Sequence, residues 1–257
     1  MTDGQTRYER DGVIARITFD RPAARNAMTW QMYQQLAEAC EQIVKDAEIR
    51  VAVFRGAGGK SFVAGTDIAQ FQTFTADDGV AYEARMEGFL DALEKLRVPT
   101  LAVVEGWAIG GGLAIAACCD FRIATPGTRF GVPIARTLGN CLSMANYARI
   151  ATSVGAANAK RLLVLGDTLT SEEARGSGFV LDVVEADTID ARVTELCDRL
   201  ARNAPITMRV SKEAIRRLLH ATLPDDEDLI RACYGSDDFR QGVRAFVEKR
   251  TPTWNGR

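Results

Sequence analysis

Thr100-Leu101-Ala102-Val103-Val104-Glu105-Gly106-Trp107-Ala108-Ile109-Gly110-Gly111-Gly112-Leu113-Ala114-Ile115-Ala116-Ala117-Cys118-Cys119 changes character twice. Thr100 to Val104, just after Pro99, has the length and β-branched content of a buried strand. Glu105 to Gly112 is a glycine-rich turn, and Gly111 to Cys119 reads as a helix. The apolar run from Trp107 to Cys119 is 13 residues long and holds three glycines, too short and too glycine-rich for a membrane span. A strand that feeds a helix through glycines leaves backbone N–H groups exposed at the helix N-terminus. Small side chains let a ligand approach them, and the helix dipole there favours negative charge.

Upstream, Val13 to Phe19 reads as a strand ended by Asp20-Arg21-Pro22. Thr29 is placed to cap a helix running to about Asp46, with Met32, Leu36, Ala39, Cys40, Ile43 and Val44 on one face. Val51 to Phe54 is a second apolar strand, Ser61 to Gly65 a loop, Asp67 to Phe71 a short turn, and Asp78 to Leu96 a helix. Downstream, Phe121 to Ala124 is another strand, and from about Asn140 the chain becomes mostly helical. Thr170 with Glu173 forms a capping box, and helices are expected near 187–202, 205–220 and 237–249. The strand–helix order predicts a layered α/β fold with parallel crossovers. The expected division is an α/β core over residues 1–200 and a helical region over 201–257.

A chain of 257 residues, 47% hydrophobic and 26% charged, suits one large globular domain, with or without a helical appendage. The net charge of −2 speaks against phosphate-driven nucleic-acid binding, while leaving local basic groups for a small anionic ligand. The polar N-terminus lacks an apolar signal core. The six cysteines show no metal-ligand spacing. Reduced thiols, a cytoplasmic home, no membrane partner and no metal are the expectations.

A second glycine-containing segment, Ser61-Phe62-Val63-Ala64-Gly65-Thr66-Asp67-Ile68, also follows an apolar strand. Two backbone donors converging on one oxygen make an oxyanion hole. Taken singly, neither segment is specific, since such a turn more often serves packing or phosphate binding. Together with Asp20-Arg21-Pro22, Asn26-Ala27-Met28, Cys119-Asp120-Phe121-Arg122, Phe130-Gly131-Val132-Pro133 and Ala245-Phe246-Val247-Glu248-Lys249-Arg250-Thr251-Pro252, they resemble the enoyl-CoA hydratase/isomerase (crotonase) superfamily over nearly the whole chain. The resemblance implies a spiral of ββα turns with a helical C-terminal trimerisation region, and homotrimers or hexamers. It implies acyl-CoA substrates, with coenzyme A entering as part of the thioester and no permanently bound cofactor. It implies that the N–H groups of Thr66 and Gly111 bind the thioester oxygen and that the Ala64 backbone contacts the adenine. Lys249 matches a basic position that reaches CoA phosphates. Ala23 stands where the family often has lysine, and Arg25 is read either as its substitute or as a surface arginine.

The larger departure concerns acid–base chemistry. The positions that match the family's two catalytic glutamates are Ala114 and Ile134, neither of which transfers a proton. Efficient standard hydration is therefore not expected. Arg136 is read either as a partner for a substrate carboxylate or as a structural salt bridge. Asn140, Cys141 and Ser143 are, with Arg136, the polar candidates for replacement chemistry, but Asn140 and Ser143 are expected to cap the next helix and Cys141 to be a buried, inert thiol. Asp67 is expected to cap the turn that follows it. Glu83, Glu87 and Glu94 are read either as pointing into the pocket or, preferably, as a solvated helix face, and His220, the single histidine, as a helix C-terminal cation. Tyr234 and Phe239 are expected to pack within the chain rather than reach a neighbouring subunit. The readings that remain are an acyl-CoA enzyme with a non-standard proton donor, a decarboxylase, isomerase or hydrolase among them, and a binding-only protein that keeps the hole.

Overall fold

A computed structural model describes residues 4–257. The chain opens with β1 (Gln5–Asp11), β2 (Ile14–Asp20) and α1 (Trp30–Lys45). Then come β3 (Val51–Gly56), β4 (Val63–Ala64) and α2 (Ala76–Glu94), then β5 (Thr100–Val104), β6 (Trp107–Ile109) and α3 (Gly111–Cys118). Next are β7 (Phe121–Ala124), β8 (Arg129–Gly131), α4 (Ile134–Thr137), α5 (Met144–Val154) and α6 (Ala156–Leu163). β9 (Thr168–Thr170), α7 (Ser171–Gly176) and β10 (Asp182–Val183) complete the strands, and α8 (Ile189–Arg202), α9 (Pro205–His220), α10 (Glu227–Tyr234) and α11 (Asp237–Val247) close the chain.

The strands form two sheets, ordered β1-β2-β3-β5-β7-β10 and β4-β6-β8-β9. Successive strands of each turn alternate between them: β3 then β4 then a helix, β5 then β6 then a helix, β7 then β8 then helices. That is a ββα spiral. Pairing is parallel except at the two antiparallel edges, β1/β2 and β8/β9. The corners between the sheets stack closely. Gly106, with φ of 72°, turns from β5 to β6 where a Cβ would lie 2.0 Å from the Lys60 carbonyl oxygen. Only glycine fits there.

The large sheet alternates its side chains between two cores. Ala52, Phe54, Ala102, Val104 and Ala124 face the main core with α1, α2 and α3. Val51, Val53, Leu101, Val103 and Ile123 face a second core closed by Ile189, Val193, Leu196 and Cys197 of α8. Each such buried aliphatic side chain is worth about 1.5–3 kcal/mol. The expected boundary at residue 200 falls in the last turn of α8. Beyond it, α9 has no buried residue and exposes Ile206, Val210, Ile215 and Leu218. α10 and α11 instead turn back onto α2, α4 and the 3-10 segment Ile68–Thr73.

Helix capping follows the sequence. The Thr29 side chain accepts from Met32 N–H, and Thr75/Asp78 and Thr170/Glu173 form capping boxes. One face differs from expectation: Val44 is exposed, and Tyr33 takes its share of the buried stripe. Strand β1 was not expected in its polar stretch. As an edge strand with one buried residue, Thr6, it carries no apolar alternation, and pairing with β2 creates it.

Candidate functional site

A cavity of about 540 Å³ opens where the glycine segments after β4 and β6 meet. β4 and β6 pair in parallel, Val63 opposite Ala108 and Ala64 opposite Ile109. This brings Gly65, Thr66, Gly110 and Gly111 to one wall. Thr66 forms a bridge with Met28, in which Met28 N–H donates to Gly65 O and Asp67 N–H to Met28 O, both at 2.9 Å. Those bonds use the groups on either side of Thr66, so the alternation of extended backbone turns Thr66's own N–H to the opposite side. Gly111 is the first residue of α3, and its N–H precedes the first helical bond, Ala114 N–H to Gly110 O. The two segments abut: a Cβ on Gly111 would stand 3.2 Å from Thr66 Oγ1. They are locked by Gly112, where a Cβ would lie 2.0 Å from the Val63 carbonyl oxygen.

Tyr33, fully buried on α1, backs this wall. Its hydroxyl lies 2.8 Å from Thr66 Oγ1, and a Cβ on Gly111 would come within 2.6 Å of it. Burial pushes its pKa up, so it remains a neutral phenol. The residue was missed in the sequence, although its place four residues after the Thr29 cap puts it on the buried stripe.

Around the mouth, Arg25 lines the cavity in a left-handed conformation (φ 52°), and its carbonyl accepts from Ala64 N–H at 3.1 Å. Arg21, also on the wall, pairs with Asp67 at 3.1 Å, a role beyond the expected cap. Phe246 lines the cavity; Lys249, three residues on, is exposed and outside the lining. Ala114 and Ile134 are both buried in the wall, where they present alkyl groups. Arg136, by contrast, is exposed and does not line the cavity, and its Cβ lies against Gly166.

The inner end is polar, which corrects the reading of a solvated glutamate face. Glu83 on α2 is 3% exposed and lines the cavity. Its carboxyl accepts from Tyr234 Oη–H at 2.7 Å and from Ser143 N–H at 3.0 Å. Burial pushes its pKa up to about 7, with a further rise from the charges of Asp226 and Glu87. Asn140 also lines the cavity rather than capping a helix; its Oδ1 is buried without a partner. Ser143 does cap α5, accepting from Asn146 N–H. Glu87 and Glu94 grip Arg149, whose side chain is 1% exposed, at 2.5 and 2.8 Å. His220 closes that network at 3.0 Å from Glu94. The Cys141 thiol, hydrogen-bonded to the free Cys233 thiol and buried, is pushed far up and is inert. Tyr234 and Phe239 are buried within the chain. Among the described residues there is no cluster of metal ligands, and no helix is long and apolar enough to cross a membrane.

A larger open hollow, about 970 Å³, follows α9 and the end of α2, but Thr66 and Gly111 line the smaller cavity. Comparison with known proteins places this geometry. Residues 9–257 match the family model described as enoyl-CoA hydratase/isomerase. The short-chain-enoyl-CoA hydratase of Clostridium acetobutylicum is 32% identical over 246 residues, 94% of each chain. An enoyl-CoA hydratase/carnithine racemase structure from Magnetospirillum magneticum is 34% identical, with a TM-score of 0.79 over 98% of this chain and 96% of that one. A methylmalonyl-CoA decarboxylase in complex with 2-nitronate-propionyl-CoA is 25% identical with a TM-score of 0.90, over 98% and 99% of the two chains. With the spiral fold and these matches along its length, the chain belongs to the enoyl-CoA hydratase/isomerase (crotonase) superfamily.

Proposed function

We propose that the protein is an acyl-CoA enzyme that polarises a thioester carbonyl between the N–H groups of Thr66 and Gly111 and stabilises the enolate formed from it. The observation that carries this reading is the meeting of those two donors on one cavity wall, fixed by the β4/β6 pairing and by the Gly112 contact. Preorganised donors of this kind are each worth about 10²–10³-fold in rate, because they are already aimed where charge develops. Coenzyme A enters past Arg25 and the Ala64 backbone, with Lys249 beyond Phe246 available to its phosphates. The nitronate group of the ligand bound to the methylmalonyl-CoA decarboxylase resembles an enolate, which supports the same chemistry here.

Standard water addition is not the reaction we assign. Ala114 and Ile134 supply no acid or base, and such groups are worth about 10²–10⁴-fold each. Nor does Arg136 help a decarboxylase reading, since it stands outside the cavity. The apolar, exposed face of α9 supports assembly as a homotrimer or hexamer, and the six free cysteines suit a reducing cytoplasm.

The test mixes the protein with crotonyl-CoA and follows both the enoyl thioester absorbance and the carbonyl stretch of the bound ester. The expected result is binding with a lowered stretch and no appreciable hydration. The Ala114→Glu/Ile134→Glu double variant is expected to begin hydrating. Binding without any change in the carbonyl stretch would refute the oxyanion-hole assignment and favour the binding-only reading. Fast hydration by the native protein would show that another residue activates water.

A further inference from the structure

The cavity has a hole for an enolate and alkyl groups where the family keeps its glutamates, so an enolate made by removing an α-proton needs another base. We propose that Glu83 is the proton-transferring group: resting on the oxyanion-hole reading, its carboxyl removes and returns the proton on the carbon next to the thioester carbonyl.

Two carboxyl groups line the cavity among the described residues, Asp67 and Glu83. Asp67 is paired with the Arg21 guanidinium at the mouth, which occupies its carboxylate. Glu83 accepts from two donors, Tyr234 Oη–H and Ser143 N–H, and both are neutral. A carboxylate offers about four acceptor sites, so lone pairs remain for a substrate proton. Glu83 lines the same cavity as Thr66 and Gly111.

The groups that face Glu83 leave its basicity high. Asp226 on the turn before α10 and Glu87 one turn along α2 are both acidic, Tyr33, Tyr82, Tyr234 and Cys141 are neutral, and Arg149 is engaged by Glu87 and Glu94. With burial, this holds the carboxyl near 7, where a side chain serves as both base and acid at neutral pH. A glutamine would tie α5 and α10 to α2 through the same two neighbours. The ionisable group is kept at a cost in stability, as expected of a functional carboxyl.

In the step itself, the Glu83 carboxylate takes the α-proton. The C–H electron pair becomes the C=C of the enolate, the carbonyl pair moves to the oxygen held by Thr66 and Gly111, and the carboxyl then returns the proton to carbon. No oxidant or reductant is needed.

The experiment incubates the whole protein with butyryl-CoA in deuterium oxide and follows α-deuteration by NMR, with binding and the carbonyl stretch measured separately. Native protein is expected to exchange, with a rate that rises through a pH near 7. Glu83→Gln should slow exchange at least about 100-fold while holding the butyryl-CoA Kd within threefold. Tyr234→Phe removes a donor to the carboxylate and should move the inflection to higher pH, a change that a merely structural Glu83 would not cause. Should Glu83→Gln not fold, that inflection decides. Exchange by Glu83→Gln within tenfold of native, or an unmoved Tyr234→Phe inflection, overturns the proposal. So does native protein that binds with a lowered carbonyl stretch but never exchanges, which leaves the oxyanion hole standing. Absence of binding overturns both.

Discussion

Replacing Glu83 by glutamine should make the protein more stable at pH 8 than at pH 5, relative to the native chain. Folded, the carboxyl keeps its proton up to about 7; unfolded, it releases it near the ordinary value of 4.5. Between those values the folded state binds more protons than the unfolded one, so stability falls as pH rises. Glu83's favourable contribution is complete below 4.5 and gone above about 7. Each unit is 1.36 kcal/mol, so the whole span is about 3.4 kcal/mol, and the part between pH 5 and 8 about 2.5 kcal/mol. Glutamine resembles the protonated acid and does not titrate. Urea unfolding of both proteins at pH 5 and 8, at one protein concentration, measures the double difference and cancels every other titrating group. A change below about 0.5 kcal/mol would mean that Glu83 is ionised without penalty at pH 5, and that its burial does not govern its charge.

Three further outcomes are expected. Gly112→Ala places a Cβ 2.0 Å from the Val63 carbonyl oxygen, so β4 and α3 must separate; urea unfolding should show a loss of at least about 1–3 kcal/mol, and titration should show CoA-ester binding abolished. Arg149→Met leaves Glu87 and Glu94 without their guanidinium and should cost about 3–5 kcal/mol by the same unfolding assay; a loss under about 1 kcal/mol would mean that the carboxylates find other partners. Leu218→Asp, at a site 79% exposed in the single chain, should leave the circular dichroism unchanged but shift sedimentation to a smaller assembly.

The sequence carried the elements whose signals are local. Apolar runs marked β3, β5 and β7, and threonines marked the starts of α1 and α7, because a cap or a buried strand depends on nearby residues. Strands β4, β6, β8, β9 and β10 are two or three residues long, and only their partners define them. That the segments bearing Thr66 and Gly111 line one cavity was legible only through their joint resemblance to the family, because a glycine turn alone more often serves packing or phosphate binding. Glu83 was legible only as the less favoured of two readings. It falls on the stripe of Tyr82, Met86, Leu90 and Leu93, but among Asp77, Asp78, Glu87, Asp91 and Glu94 an acid beside that stripe reads more readily as part of a solvated face. Its burial is decided by Tyr234, 151 residues later, and by the Ser143 turn. Asn140 was a candidate for the site, but the cap reading was preferred, because a short polar residue before a helix looks like a cap until the chain returns to enclose it.

The return of α10 and α11 onto α2 also sets a timetable for the molecule's birth. A ribosome delivers Gly111 on the cavity wall well before it delivers Tyr234, which holds Glu83, and Phe246, which lines the cavity. At about 5–20 residues per second the interval is roughly 7–27 seconds. During it the nascent chain holds Thr66 and Gly111 beside an unfinished chamber, with the aromatic surface of Phe71, Phe74 and Tyr82 still waiting for Tyr234 and Phe239. A chain cut short before α10 would keep the spiral's hydrogen-bonded ladders but expose that aromatic patch, which marks it for chaperones or for self-association rather than for catalysis.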